Sequence, residues 1–173
     1  MSANCVFMKS ATGVKSAAGA CRVLVMLAAL VLGACASHSA DERVATRTSL
    51  SASKEVNPDI NGRPSPVVVR IFQLHSDGEF QSADFLALYA HEKESLGASL
   101  IAFQEFELRP GEHLDTHILL AKDARYVGAI AAYRDLSTAQ WRVLRTRPSR
   151  SLFVHESVVV NLDRNTLTLS VNH

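Results

Sequence analysis

From residue 43 onward, apolar and polar side chains alternate in short runs. Between residues 43 and 53, Val44, Thr46, Thr48, Leu50 and Ala52 fall on one face, and Arg43, Arg47, Ser49 and Ser51 on the other. A period of two predicts a strand with one buried face and one wet face. Phe106 and Leu108 alternate with Glu107 and Arg109 ahead of a Pro110-Gly111 turn, and Leu114, Thr116, Ile118 and Leu120 alternate with His113, Asp115 and His117. Two runs, VVVRIFQL at 67–74 and YVGAIAAY at 126–133, are apolar on both faces. Such runs predict strands covered on both sides. Residues 141–146, 152–162 and 166–171 complete about eight strands spaced by turn residues, which predicts a β-sandwich.

Between the second and third strands the period changes. Phe85, Leu88, Tyr89, Glu92 and Leu96 recur at helical spacing, and Gly97 stands where a helix C-terminus takes a positive φ. One or two short helices are predicted here, packed on the sandwich, with Ser82 as N-cap and Asp84 in the first turn.

The N-terminus follows another logic. Lys9, Lys15 and Arg22 precede the run VLVMLAALVL at 23–32, and Leu32-Gly33-Ala34-Cys35 follows. Ten apolar residues are too few for a membrane-spanning helix but suit a secretory signal. LGAC resembles a bacterial lipobox, so residues 1–34 are expected to be removed and Cys35 acylated. The n-region is long enough for Met8 to be an alternative start to Met1. Cys5 and Cys21 would leave with the signal, so Cys35 would be the one cysteine kept, with no internal disulfide. Acyl chains on it contribute roughly 0.8 kcal/mol per buried CH₂, enough for lasting anchorage when there are several. Residues 35–42 then form an acylated cysteine and short polar tether, and 43–173 a single sandwich domain. Losing three of the 18 basic residues leaves 15 against 17 acidic ones, a net charge of −2. That balance argues against nucleic acid as a partner.

The catalytic motifs fail in turn. His91-Glu92 opens like the zinc motif H-E-x-x-H, but Ser95 stands at the second histidine. His113 and His117 lie on one strand face about 13 Å apart, too far to share an ion that binds at about 2 Å. No G-x-S-x-G or phosphate-binding glycine loop occurs, and Ser151 and His155 are four apart in a predicted strand. Trp141 with Arg142, Arg145, Arg147 and Arg150 reads as a solvated strand and its loop. No enzyme activity, metal or cofactor is expected beyond the covalent lipid.

The link between the first two strands, VNPDINGRPSP at 56–66, is far longer than the two residues a hairpin needs. Val56-Asn57-Pro58-Asp59 and RPSPVVVRIFQL at 63–74 begin a series that continues through Phe80, Ala83-Asp84-Phe85, Leu88-Tyr89, Leu108-Arg109-Pro110-Gly111, Val127-Gly128, Ala131-Ala132-Tyr133-Arg134-Asp135 and Trp141-Arg142. In order and spacing this series resembles the TssJ (SciN) family, outer-membrane lipoproteins of type VI secretion systems. The resemblance implies a transthyretin-like β-sandwich with added helices, anchored by lipid on the periplasmic face of the outer membrane. It implies binding to the periplasmic C-terminal domain of TssM, within an assembly that includes other membrane-complex subunits. It further implies that the contact is the loop between the first two strands, here Lys54, Glu55, Val56, Asn57, Pro58, Asp59, Ile60, Asn61, Gly62, Arg63, Pro64 and Ser65.

The loop's own chemistry agrees. Pro58 presets φ, Gly62 permits φ > 0, and Pro64 and Pro66 keep their predecessors extended, so little order remains to be imposed on binding. Asp59, Ile60, Asn61 and Arg63 are expected to point outward, and the whole loop to contribute little to the core. A lipid-anchored carrier of a small ligand is the alternative on the same fold, and it requires a pocket with convergent polar groups.

Overall fold

The computed structural model describes residues 43–147 and 156–172. The expected signal segment, Cys35 and the tether lie outside the described residues, as do Arg150, Ser151, His155 and the start of the expected seventh strand. Among the described residues eight strands run in chain order: β1 Arg43–Ala52, β2 Val67–Leu74, β3 Leu100–Leu108, β4 His113–Ala121, β5 Tyr126–Ala131, β6 Arg142–Thr146, β7 Ser157–Asp163 and β8 Thr166–Asn172. They form two four-stranded sheets, ordered β4-β1-β7-β8 and β3-β2-β5-β6. In the first sheet β1 is central, antiparallel to β4 and parallel to β7.

The alternating residues of β1 and β4 meet β2 and β5 across the sandwich. Leu50, Ile118 and Leu120 share a core with Val69, Ile71, Val127 and Ala129, joined by Val160, Leu162 and Leu169 from β7 and β8. The unbroken apolar run of β2 has a direct cause. Val67, Val69 and Ile71 face this core, whereas Phe72 and Leu74 face a second one beneath the helices. Gln73 is 2 % exposed within that run and fully occupied. Its Nε2 donates to the Leu119 carbonyl and its Oε1 accepts from the Ala121 N–H, both at 2.8 Å, stitching β2 to the edge of β4.

The helical insertion is more broken than its periodicity suggests. It comprises α1 Gly78–Ser82, α2 Phe85–Ala90, α3 Glu92–Leu96 and a 3₁₀ turn Gly97–Ser99. Ser82 ends α1; the N-cap is Asp84, whose side chain accepts from the Ala87 N–H at 2.7 Å. Gly97 does take a positive φ, 49°. Phe80, Leu88 and Leu96 pack on Phe72, Leu74 and Ile130. A side chain at Gly128 would place its Cβ 2.7 Å from Phe80 Cζ, so this glycine sets how closely α1 approaches β5.

Two arginines fasten the layer. Arg70 lies over the Tyr89 ring at 4.3 Å, pairs with Glu105 at 2.6 Å and donates to the Tyr89 carbonyl. Arg142 donates to the carbonyls of Phe80 and Ala83.

Two sequence readings change. β3 starts at Leu100, six residues before its visible alternation, because residues 100–104 are half-buried on both faces and show no pattern. Arg147 is not on a solvated face: its side chain is 3 % exposed and forms a two-pronged pair with Glu156, each prong 2.6 Å. Glu156 sits nine residues away in the chain, a pairing that no local pattern reveals.

Candidate functional site

The β1–β2 loop divides into a base and a tip. At the base, Val56 is fully buried in the sandwich core, and Asn57 and Ser65 are buried beside it. Ser65 N donates to the Val56 carbonyl at 3.1 Å, joining the two legs. Asn57 adopts φ 50°, which asparagine tolerates better than most residues. Its backbone N–H donates to the Arg164 carbonyl at 2.7 Å, in the β7–β8 turn. Its side-chain Nδ2 donates to the Pro66 carbonyl at 2.7 Å, and its Oδ1 accepts from the Arg134 N–H at 2.8 Å. One buried side chain therefore spans both legs of the loop and the segment after β5. The expectation that the loop adds little to the core fails here, because alternation rules do not apply to an irregular segment and Val56 has no periodic neighbours to mark it.

The tip is a closed turn that needs nothing from the core. Asp59 N donates to the Arg63 carbonyl at 2.8 Å, and Gly62 N to the Asp59 carbonyl at 2.9 Å. The Asp59 carboxylate accepts from Asn61 N and Arg63 N, and pairs with the Arg63 guanidinium at 2.8 Å. These bonds, led by the Arg63 backbone N–H, hold the Asp59 carboxyl below its usual value. Gly62 takes φ 78°, as the turn requires. Asp59 is thus turned inward as the organiser of the turn, while Asn61, Arg63 and Pro64 are exposed. Ile60 is 101 % exposed, with no side-chain neighbour covering it. Lys54 and Glu55 are exposed on the approach from β1.

Other chemistry-bearing groups are less organised. On the outer face of β1 and β4, Ser51 Oγ lies 2.7 Å from His113 Nδ1, and His113 Nε2 lies 3.3 Å from Asp115. The sequence sets His113 and His117 aside as too far apart and gives no sign of Ser51, which faces His113 only through the β1–β4 register. This trio has the order of a serine–histidine–aspartate relay but not its burial, for His113 and Asp115 are 57 % and 69 % exposed. Water competes there for every hydrogen bond. Among the described residues no cluster of three or more His, Cys, Asp or Glu side chains is placed to hold a metal. Ser95, the break in the zinc-like motif, donates to the Ala87 carbonyl, and Glu92 lies 3.5 Å from Arg70. An open cleft of about 400 Å³ beside β6 is lined by Phe80, Tyr126, Arg142 and Leu144 among others. Its cation, Arg142, is already engaged by the helix carbonyls.

Comparison with known proteins places this geometry. Residues 45–170 match the family T6SS-SciN, described as "Type VI secretion lipoprotein, VasD, EvfM, TssJ, VC_A0113". The T6SS lipoprotein TssJ1 from Pseudomonas aeruginosa is 29 % identical with a TM-score of 0.69, over 76 % of this chain and 98 % of that one. Lip from Serratia marcescens, a membrane-bound component of the type VI secretion system, is 31 % identical with a TM-score of 0.62, over 75 % and 99 %. A chain in the structure of the T6SS protein TssM C-terminal domain from EAEC is 27 % identical with a TM-score of 0.60, over 75 % and 98 %. A search of the curated proteins found no match.

Proposed function

Because the chain belongs to the TssJ (SciN) family of type VI secretion lipoproteins, we propose that it docks the periplasmic C-terminal domain of TssM through the tip of the β1–β2 loop. In this reading Cys35 carries the lipid that anchors the domain to the periplasmic face of the outer membrane. The family is one of secretion-complex lipoproteins and not of enzymes. The observation that carries the reading is Ile60, an aliphatic side chain held fully in water at the apex of a self-bonded turn. Leaving such a group in water forfeits the burial free energy an Ile can gain, roughly 1.5–3 kcal/mol. A tip already ordered by Asp59 can recover that in a partner's recess at little conformational cost. A similar chain in the structure of a TssM C-terminal domain supports the choice of partner.

The test removes the tip. Asp59 N and the Arg63 carbonyl are hydrogen-bonded, so the chain can be closed just inside them. Replacing residues 60–62 with a single Gly in the full chain should abolish co-purification with the TssM periplasmic domain and leave the melting temperature nearly unchanged. Capture at the wild-type level would refute the docking assignment. Separately, Cys35→Ser should lose palmitate labelling and outer-membrane fractionation; retention of both would refute the anchor.

A further inference from the structure

Tyr133-Arg134-Asp135 helps to carry the family resemblance but lies 70 or more residues beyond the docking tip in sequence and has no role in the reading above. The fold brings it to the loop. Asn57, 3 % exposed, accepts the Arg134 N–H with the same side chain that binds Pro66. Tyr133 is 4 % exposed and roots the segment in the sandwich core. Asp135 fixes the other side, accepting from Ser137 N, Ser137 Oγ and Thr138 Oγ1 at 3.1, 2.6 and 2.7 Å. Between these two fixed points Arg134 is exposed, and its guanidinium makes no ion pair among the described residues. Its charge reaches the tip: after the hydrogen bonds from Arg63 and Asn61, Arg134 also helps to hold the Asp59 carboxyl low. Asp59 itself is already satisfied by Arg63, so it leaves Arg134 free for another anion.

We propose that the docking surface is composite: Ile60 supplies an apolar anchor and Arg134 a cation, whose backbone Asn57 ties to the base of the same loop. This rests on the docking-loop reading and names the chemistry of its partner. The surface that fits is a protein face with a recess for one aliphatic side chain and a carboxylate on the rim. A purely anionic ligand would have no use for Ile60, and a purely apolar one none for Arg134. Charge at the rim of such a contact acts mainly on association rate and salt dependence, which gives it a signature distinct from the anchor.

The full chain in detergent, titrated with the TssM periplasmic domain at low and at high salt, separates these parts. Arg134→Glu should weaken binding roughly tenfold or more at low salt and flatten the salt dependence, with Arg134→Ala intermediate. Neither should lower the melting temperature, since the guanidinium is exposed. Ile60→Asp should abolish binding at both salt concentrations. If Ile60→Asp loses binding while Arg134→Glu binds like wild type throughout, the composite surface is overturned and the docking loop survives. If Ile60→Asp binds at full strength, the docking loop itself falls, and the composite with it.

Discussion

Val56 and Ile60 stand four residues apart in one loop, both β-branched and aliphatic, and their fates are opposite. Val56 is 0 % exposed and Ile60 101 %. Hydropathy cannot separate them; hydrogen bonds do. Around Val56 the two legs are joined through Ser53 and Ser65, and the neighbouring Asn57 bonds Arg164 with its backbone N–H and Arg134 with its side chain, so the base is part of the sandwich. Around Ile60 the hydrogen bonds of the tip run between Asp59 and residues 61–63, so the tip is complete without the core. Under the proposed docking, stability and recognition divide along a dozen residues, with Asn57 at the border.

The strongest way to break this comparison is at the base. Val56→Asp would place an unpaired carboxylate in the main core, a cost of several kcal/mol that a domain of this size barely tolerates. It should yield unfolded or aggregated protein. Val56→Ala, losing only two methyl groups, should cost about 2 kcal/mol by thermal or urea denaturation. A Val56→Asp variant that melts normally would show that the base is not core.

Asn57 sharpens the border. Asn57→Ala removes the partner of the Arg134 N–H and of the Pro66 carbonyl and leaves a non-glycine residue at positive φ. Unsatisfied buried groups of this kind cost about 1–3 kcal/mol each, so a clear drop in stability is expected together with weaker TssM binding. Asn57→Gly restores the permitted φ but not the hydrogen bonds, and should recover only part of either loss.

How much of this was legible in the sequence depends on whether a residue has periodic neighbours. Val67, Val69 and Ile71 alternate in a strand, and with Phe72 and Leu74 they announced a run covered on both sides, as found. The outward placement of Ile60, Asn61 and Arg63 was legible too, because turn chemistry is local, but Asp59, expected outward with them, is turned in by its bonds to Asn61 and Arg63. Burial of Val56 and Asn57 was not, since it depends on Arg134 and Arg164, 77 and 107 positions away in the chain. Ser51 and His113 are likewise hidden by 62 positions of chain, and Arg147 and Glu156, only nine apart, share no periodic pattern that would pair them. The helical insertion was seen by its period, yet its breaks were not, because Asp84 caps better than Ser82 only once α1 has ended.

A smaller effect is expected on the tip with pH. Asp59 has a folded carboxyl pKa below its unfolded value, so its bonds contribute fully above the unfolded pKa and are lost as pH falls through the folded one. Asp59 organises only the solvent-facing tip, which makes no contact with the core, so the global melting temperature should hardly move. Amide resonances of Asn61 and Arg63 should instead shift together at pH values below the ordinary aspartate range, and Asp59→Asn should show no such step. Amides that titrate in the ordinary range would mean the turn is not organised by Asp59.

The central claim, that one residue of the tip recognises a partner while contributing nothing to the fold, is tested most directly at Ile60. The measurement is a paired one on the full chain and its Ile60→Asp variant: the melting temperature, and the dissociation constant for the TssM periplasmic domain. A fully exposed side chain predicts a stability change within about 0.5 kcal/mol, and a central anchor predicts a binding loss of about 2 kcal/mol or more, some thirtyfold in the dissociation constant. Unchanged melting with binding lost supports the division of the loop. Unchanged melting with an unchanged dissociation constant contradicts it.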